Sequence, residues 1–379
     1  MAHELTRRKN TIVLLLAWLM LPLCASAADI SDFAKQPDEW FTSDQGRRVL
    51  DNVITWQNPN GGWWKAYDPN QPKPGSAAPK KDARFPAQDQ NLSGQVSTFD
   101  NKATWSELRL LGRAYTLTKG PKYKEAFDRG IKFVLAAQYD NGGWPQRFPL
   151  EDNYGRHITY NDESMVEVMR LVRDVAAGKE PFAFVDEATR EKARQAFDKG
   201  VECILNTQIK VDGKPTVWCA QHDEKTLAPT KARAYELPSF SGGESASIAM
   251  LLMEIEKPSE RVKQAIKGAV EWYEKSKLTG IREERRPNKD SPRGYDVIVV
   301  SDPNAPPLWA RFYDLETGKP FFVGRDGVKK DSLAEIELER RAGYAWLRPW
   351  GEKVLKAYPK WAEKHGLETQ KPDAQKTDT

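Results

Sequence analysis

Arg311 lies in a cluster of aromatic residues that suits an anion-binding group. It follows Trp309 and precedes Phe312 and Tyr313, after an approach that several prolines break. Aromatic neighbours would hold the guanidinium stiff and partly dehydrated, which suits its fixed fork of donors to a planar carboxylate. The same pattern also fits an arginine that packs on aromatic rings or pairs with an acid such as Asp314. Both interpretations stay open at this point.

Three short segments place acidic or amide side chains at the start of a predicted helix. They are Phe99-Asp100-Asn101, Tyr160-Asn161-Asp162-Glu163-Ser164 and Gly242-Gly243-Glu244-Ser245. Each segment alone fits an ordinary helix N-cap, because such side chains accept from free N–H groups and suit the helix dipole. Together, at one rim of a repeated structure, their oxygen atoms would converge. Oxygen ligands are what Ca²⁺ prefers.

Basic residues lie on predicted loops close to these acids. Arg233 precedes the third acidic segment, and Arg293 precedes the aromatic cluster around Arg311. Binding residues are common on loops of this kind. The chain also has 13 tryptophans, whose rings can stack on sugars or fill a core. Carboxylates for a metal, arginines for anions and rings for sugars would together fit a polymer of uronic acids. Arg282 and Arg285 could also bind anions, but we favour the interpretation that they belong to a solvent-exposed run of charged residues.

A recurring phrase indicates how these segments are positioned. Residues 57–63, 138–144 and, more loosely, 208–218 each run from a glutamine through a glycine turn to a tryptophan. Such a turn marks the end of a helix and the start of an exit loop. The tryptophans lie 81 and 74 residues apart, about the length of a helical hairpin with its loops. We therefore expect an internal repeat of paired helices.

Apolar residues at helical spacing predict the pairs themselves. The predicted pairs are 103–115 with 123–138, 162–176 with 191–208, 244–255 with 261–277, and 333–346 with 352–365. Strand signals are few, the clearest at 295–300 and a weaker one at 214–219. The sequence therefore predicts a mainly all-α fold, an (α/α) toroid or barrel of paired helices with long loops and a few short β-strands. An open solenoid would need a shorter and more even repeat.

The two ends of the chain differ from the rest in composition. Residues 1–27 have a basic start, an apolar run and a small-residue exit, which predicts a cleaved secretory signal peptide. The run is too short to span a bilayer, so we expect a secreted or periplasmic protein without membrane association after cleavage. Residues 28–365 are predicted to form a single toroid domain. The polar segment 366–379 is predicted to be a disordered tail.

Charge and cysteine content limit the possible partners. The full chain has a formal net charge of +4, and loss of the signal peptide brings it closer to neutral. This balance argues against a nucleic acid held by bulk charge. Cys203 and Cys219 remain after cleavage, and both a disulfide and two buried thiols fit their spacing. We find no heptad or apolar stripe and expect a monomer.

Five phrases, in order, resemble the family 10 polysaccharide lyases, which are pectate lyases. They are Asn60-Gly61-Gly62-Trp63, Phe99-Asp100-Asn101-Lys102-Ala103-Thr104, Asn141-Gly142-Gly143-Trp144-Pro145-Gln146, Thr159-Tyr160-Asn161-Asp162 and Trp309-Ala310-Arg311-Phe312-Tyr313. The resemblance covers essentially the whole mature chain. It implies a catalytic toroid of paired helices. It also implies calcium-dependent cleavage of α-1,4-polygalacturonate by β-elimination, which gives 4,5-unsaturated oligogalacturonides.

The resemblance also implies roles for individual residues. Arg311 falls at the position of the catalytic arginine, the proposed base. Asp100 and Asp162 fall at those of the acids that hold Ca²⁺, and we add Glu244 as a further metal ligand. The expected substrate-binding residues are Arg233, Asn101, Arg293, Trp309 and Tyr313.

Physical chemistry supports one part of this mechanism and opposes another. Elimination requires loss of a weakly acidic proton next to the uronate carboxylate, and Ca²⁺ with an arginine fork would stabilise the charge that develops. An arginine base conflicts with the very high pKa of this side chain, unless burial among other cations lowers it. Two alternatives remain. A glycoside hydrolase on a similar toroid would give products without a double bond. A non-catalytic exported glycan-binding protein would keep its binding after Arg311→Ala.

Overall fold

The computed structural model describes residues 29–75 and 96–367. Its helices are α1 (Ile30–Phe33), α2 (Asp38–Thr42), α3 (Asp44–Thr55), α4 (Trp105–Thr118), α5 (Pro121–Ala136), α6 (Ser164–Ala177), α7 (Glu187–Thr207), α8 (Glu244–Met253), α9 (Glu260–Lys275), α10 (Leu338–Gly343) and α11 (Trp350–Lys364). The predicted signal peptide and nearly all of the predicted tail lie outside the described residues. Among the described helices, none combines the length and the apolar composition that crossing a membrane would require.

The strands are short and pair two by two. They are β1 (Ser97–Thr98), β2 (Arg147–Phe148), β3 (Ile158–Thr159), β4 (Lys210–Val211), β5 (Lys214–Pro215), β6 (Gln221–His222), β7 (Phe240–Ser241), β8 (Ile281–Pro287), β9 (Tyr295–Ser301), β10 (Trp309–Ala310), β11 (Phe312–Tyr313), β12 (Phe322–Val323), β13 (Lys329–Lys330) and β14 (Leu347–Arg348). The antiparallel pairs are β1 with β2, β3 with β6, β4 with β5, β7 with β11, β8 with β9, β10 with β14 and β12 with β13.

The helices form two adjacent layers. In one layer α4, α6 and α8 follow one another, and α11 packs against α8. In the other layer α3, α5, α7 and α9 follow one another. Helix pairs α4–α5, α6–α7 and α8–α9 join the two layers. The first layer is the more enclosed, because eight residues of the ten-residue α8 are buried.

The predicted mainly α-helical toroid is wrong. Helix accounts for 45% of the described residues and strand for 13%. In the described part of the chain, no extensive packing joins α11 back to α3 at the other end of the layers. The loops that connect helix pairs run beside one another and satisfy their N–H and C=O groups as short antiparallel ladders. Ladders of two residues leave no periodic signal in a sequence.

Individual helix and strand predictions had different outcomes. Helices α4 to α9 and α11 are confirmed to within a few residues, and β9 confirms the strand at 295–300. The helix predicted at 333–346 is wrong, because a 3₁₀ turn, the short α10 and an extended stretch occupy it. The weak strand at 214–219 reduces to β5. The charge run 282–286 lies in β8, with Arg282 and Arg285 outside the buried core. Cys203 and Cys219 are buried free thiols.

The predicted repeat has a clear physical basis in two sets of hydrogen bonds. Each of the three repeat tryptophans donates its indole N–H to a carbonyl at or near the end of the preceding helix: Trp63 to Val53 (2.8 Å), Trp144 to Val134 (2.9 Å) and Trp218 to Ile204 (2.8 Å). Trp309 makes the same kind of bond to Tyr273 (2.9 Å). Each repeat glutamine donates to a helix of the next pair: Gln57 to Ala126 (2.8 Å), Gln138 to Ala196 (2.8 Å) and Gln208 to Ala265 (2.9 Å). These bonds fix the exit loops.

The glycine turn between glutamine and tryptophan requires glycine for two reasons. Gly142 has a φ of +90°, in the left-handed region that side chains disfavour. A Cβ at this position would also lie 2.0 Å from the backbone oxygen of Lys199 in α7. The loop therefore lies so close to α7 that no side chain fits between the two backbones.

Candidate active site

Two consecutive repeats form the same turn just before α4 and α6. The 3₁₀ turns Asp100–Lys102 and Asn161–Glu163 pack against each other. Their second residues have nearly identical left-handed dihedrals, φ 49° and ψ 43° at Asn101 and φ 51° and ψ 34° at Asp162. Asparagine and aspartate tolerate this conformation better than most residues. The two side chains therefore occupy equivalent positions in neighbouring repeats.

A third repeat contributes an equivalent residue. The backbone N–H groups of Thr98, Thr159 and Ser241 each donate to the carbonyl of their repeat tryptophan, at 2.9, 3.1 and 2.8 Å. These three residues are therefore in register. Counting three residues onward from each reaches Asn101, Asp162 and Glu244. The convergence predicted from the three acidic segments is thus a consequence of the repeat.

Arg311 lies between β10 and β11 and joins this group. Its Nη2 donates to Glu244 Oε1 at 2.7 Å and to Asn161 Oδ1 at 3.1 Å. Asp162 Oδ1 lies 3.7 Å from the same nitrogen. The guanidinium carbon sits 4.5 Å from the ring centroid of Tyr344, and the residue is 8% exposed. Arg311, Asp162 and Glu244 are therefore brought together, although they lie far apart in the sequence.

The aromatic residues beside Arg311 in the sequence do not frame it. Trp309 and Tyr313 are each 1% exposed. Trp309 packs edge-on against Tyr273, and the Tyr313 hydroxyl donates to Ser276 O at 2.9 Å. Their rings are core groups with no face available to a sugar, so the structure contradicts their predicted contact with substrate. The alternative pairing of Arg311 is also absent, since Asp314 pairs with Lys329.

Carboxylates control the ionisation of Arg311. Burial disfavours the charged guanidinium, but Glu244, Tyr344 and Asp162 outweigh it and raise the pKa of Arg311 above its usual value. In this arrangement of side chains acidic groups rather than cations surround Arg311, and they favour its charged form. Glu244 explains the difference, because it was expected to bind metal and instead neutralises Arg311. Its second oxygen accepts from the Ser241 hydroxyl, so both oxygens of Glu244 already have a hydrogen-bond partner.

Asp100 and Asp162 have the properties that a calcium site requires. Asp100 is 5% exposed, and its Oδ1 is buried and accepts no hydrogen bond from the residues that the structure describes. Loss of water around the Asp162 carboxyl raises its pKa to about 6, Asp100 and Glu244 add like-charge repulsion, and Arg311 opposes the rise. An open buried oxygen and crowded negative charge are both relieved by a divalent cation. With the neighbouring Asn101, these residues fit Ca²⁺.

The predicted substrate-binding arginines lie in different surroundings. Arg233 donates from Nε and Nη2 to both oxygens of Glu236, at 2.8 and 2.6 Å. Glu236 also accepts from the Tyr344 hydroxyl at 3.0 Å, which connects Arg233 to the ring beneath Arg311. Arg293 is exposed and lies beside Gly343, near but not at this network. Asn101 is exposed at the turn next to Asp100.

Three residues of the site, Tyr344, Glu236 and Lys65, were not predicted from the sequence. Tyr344 fell inside a predicted helix, whereas the chain there is extended. Glu236 lies three residues after Arg233, a spacing that could have suggested their ion pair. Lys65 follows the first repeat tryptophan and forms an ion pair with Asp100. Its partner is 35 residues away, so no local spacing points to it.

A second acidic cluster has a different character. Ligand atoms of His157, Asp223 and Glu224 all lie within 4.8 Å of one another. Glu224 is already paired with Arg156 at 2.8 Å and with His157 Nδ1 at 3.2 Å. Asp223 Oδ1 accepts from the backbone N–H groups of residues 225 and 226. These contacts account for the cluster as a loop support that is separate from the group around Asp100 and Asp162.

This chain is similar to a known protein family and to solved structures. A family model described as pectic acid lyase matches residues 47–355. No curated protein matches the chain. The family 10 polysaccharide lyase from Cellvibrio cellulosa has a similar structure, with a TM-score of 0.70 and 30% identity, over 88% of this chain and 97% of that one. A point mutant of a Cellvibrio cellulosa family 10 lyase, in complex with trigalacturonic acid, has the same score and identity over 89% and 99%.

The family match extends over most of the chain and includes every residue placed around Arg311. The resemblance found in the five sequence phrases is therefore confirmed, and so is the prediction of a pectate lyase. The chain belongs to the pectic acid lyase family.

Proposed function

We propose that this pectate lyase cleaves α-1,4-polygalacturonate by calcium-dependent β-elimination, with Asp100 and Asp162 as metal ligands and Arg311 as the base. The observation that carries the proposal is the convergence of Arg311 with residues from successive repeats. Arg311 Nη2 bonds Glu244 and Asn161 and lies 3.7 Å from Asp162. The complex of the Cellvibrio cellulosa lyase with trigalacturonic acid supports a uronate polymer as the substrate.

Calcium is proposed because the residues at the turns suit it. The open Oδ1 of Asp100, the carboxylate of Asp162 and the amide oxygen of Asn101 are hard oxygen ligands. Ca²⁺, when bound, would neutralise these carboxylates and withdraw charge from the uronate carboxylate. Glu244 takes no part in metal binding in this proposal.

Arg311 is proposed to act on the proton next to the uronate carboxylate. Glu244 and Asn161 fix one nitrogen of the guanidinium, and Tyr344 supports its face, so the group is held in one orientation. Its Nε is buried and donates to no described residue. The neighbouring carboxylates favour the protonated guanidinium, so Arg311 can accept a proton only after their charge is reduced. The protonated fork would also stabilise the enolate-like charge.

Arg233 is proposed to hold a substrate carboxylate at the edge of this group. Glu236 occupies its fork in the structure, so substrate would have to share or displace that ion pair. Arg293 is exposed and could contact a sugar further along the polymer. A monomer, a single domain over residues 28–365 and export from the cytoplasm stay predictions from the sequence.

The proposal is tested by following ultraviolet absorbance of the unsaturated product on polygalacturonate, with calcium and then with a chelator. A signal that rises with calcium and stops on chelation is expected. Arg311→Lys keeps the charge and loses the fork, and should lower kcat by about 100-fold or more. Arg194→Lys is the matched control, because Arg194 is exposed on α7 and pairs only with Glu191 among the described residues.

Other results would contradict the proposal. New reducing ends without absorbance would indicate a hydrolase. Full activity in chelator would remove calcium from the mechanism, and an active Arg311→Lys would remove the assigned base. Binding of polygalacturonate without any turnover would indicate a glycan-binding protein.

A further inference from the structure

Lys65 and Asp100 form a buried ion pair within the proposed calcium site. Their side chains are only 8% and 7% exposed. Lysine is rarely buried, and a buried ion pair has a large desolvation cost. Such a pair in a site that also binds a cation and a carboxylate substrate suggests a functional reason for keeping it.

The loop that carries Lys65 is anchored on both sides. Two residues before Lys65, the Trp63 backbone N–H donates to Thr104 Oγ1 at 3.0 Å, and the indole is fixed by α3. Two residues after Lys65, the Tyr67 hydroxyl donates to buried Glu107 at 3.0 Å. The backbone at Lys65 is therefore held in place, while its four-carbon side chain can move the ammonium group.

Lys65 and a calcium ion would compete for the same carboxylate. The ammonium group bonds Asp100 Oδ2, while Oδ1 is buried and accepts from no described residue. The ammonium group and a cation on the same carboxylate would repel each other strongly, because water is scarce there. As long as Lys65 is paired with Asp100, it lowers the affinity of Oδ1 for any cation. A uronate carboxylate is the substrate group that could accept the ammonium group instead.

We propose that Lys65 couples calcium binding to substrate binding. In the free protein Lys65 neutralises Asp100 and keeps calcium affinity low. When a uronate carboxylate enters, the Lys65 ammonium group moves its hydrogen bond from Asp100 to that carboxylate. Asp100 is then a full ligand for Ca²⁺. This inference rests on the proposed function, because it requires calcium at Asp100 and a uronate substrate.

The coupling has a measurable signature. Because linkage is reciprocal, substrate must raise calcium affinity by the factor by which calcium raises substrate affinity. Lys65→Gln keeps a hydrogen-bond donor near Asp100 and removes the charge. The variant should bind calcium about tenfold more tightly than the parent in the absence of substrate. Adding substrate should then raise its calcium affinity by a smaller factor than in the parent.

The experiment is calcium titration by isothermal calorimetry, with and without trigalacturonate. All proteins carry Arg311→Lys so that the trisaccharide survives. The parent should bind calcium about tenfold more tightly when trigalacturonate is present. Lys65→Arg keeps a cation and should keep the coupling, and Lys124→Gln is the matched control, since Lys124 pairs with Asp128 on α5. Circular dichroism checks that each variant is folded.

Three results would overturn parts of this account. Equal calcium affinity of the parent with and without trigalacturonate would overturn the role of Lys65, and this result needs no Lys65 variant. Equal coupling in folded Lys65→Gln would overturn it as well. No calcium binding by any protein under either condition would overturn the proposed calcium site itself, and with it the inference.

Discussion

Glu107 is a buried acid whose ionisation should lower the stability of the folded protein. It lies in the first turn of α4 and is 2% exposed. Its carboxyl group accepts hydrogen bonds from the Tyr67 hydroxyl at 3.0 Å and from the Ser106 hydroxyl at 3.3 Å. Burial raises the pKa of Glu107 from 4.5 to about 7, and these hydrogen bonds oppose the rise only in part. The group is therefore protonated in acid and charged in mild base.

The size and sign of the effect follow from the two pKa values. Between pH 4.5 and about 7 the folded state holds a proton on Glu107 that the unfolded chain has lost. The free energy of unfolding therefore falls as pH rises through this range and levels off above it. A pKa displaced from 4.5 to about 7 corresponds to about 3 kcal/mol. Glu107→Gln cannot ionise and still offers Tyr67 an acceptor, so this loss should disappear.

Urea denaturation followed by tryptophan fluorescence, at steps from pH 5 to pH 8, would measure the effect. The stability of Glu107→Gln relative to wild type should improve by about 2.5 kcal/mol between pH 5 and pH 8. Burial lowers the pKa of His222 to about 4, which makes stability rise with pH, but this contribution is common to both proteins and cancels. Glu191→Gln on α7 is the control, because the Glu191 side chain is half-exposed. Parallel pH profiles for wild type and Glu107→Gln would refute the reasoning.

Three further substitutions test other contacts of the site and fold. Glu244→Gln should lower the free energy of unfolding by about 3 kcal/mol, because Arg311 loses its buried counter-ion, and should lower kcat as well; an unchanged melting curve would contradict the pairing. Tyr344→Phe keeps the ring beneath Arg311 but loses the bond to Glu236, so steady-state kinetics should show kcat reduced by less than tenfold, about 1 kcal/mol. Gly142→Ala should lower the free energy of unfolding by about 3 kcal/mol, measured by urea denaturation. Gly213→Ala, where the side chain would enter open space, should lower it by about 1 kcal/mol. Equal losses would exclude the close contact of Gly142 with α7.

Local signals in the sequence explain why the repeat could be predicted. The helices have apolar residues at helical spacing, and the glutamine, glycine turn and tryptophan mark each exit loop. Five short phrases in order, two of them parts of this repeat, identified the family and brought out Asp100, Asp162 and Arg311. These features depend on residues close together in the chain. The overall shape depends on how successive helix pairs and loops pack, which periodicity does not record.

Side-chain direction explains the errors within the site. Whether Trp309 and Tyr313 face the core or the site is set by strand pairing, β10 with β14 and β11 with β7, at long sequence separation. The neighbours of Arg311 pack into the core, while its own side chain reaches Glu244 and Asn161. Glu244 was expected to bind metal because an acidic side chain can serve either as a metal ligand or as the counter-ion of an arginine. Only the distance to Arg311 distinguishes a counter-ion from a ligand.

The register of the three turns has a consequence for how such a site could have arisen. Asn101, Asp162 and Glu244 occupy one equivalent position in three successive units, yet they carry an amide, a half-exposed acid and a buried acid. Duplication of a single ancestral unit would supply the three positions at once, and divergence at one codon in each copy would then separate their tasks. No copy holds the chemistry alone. Deleting one internal unit should therefore abolish activity even where the remaining helices still fold.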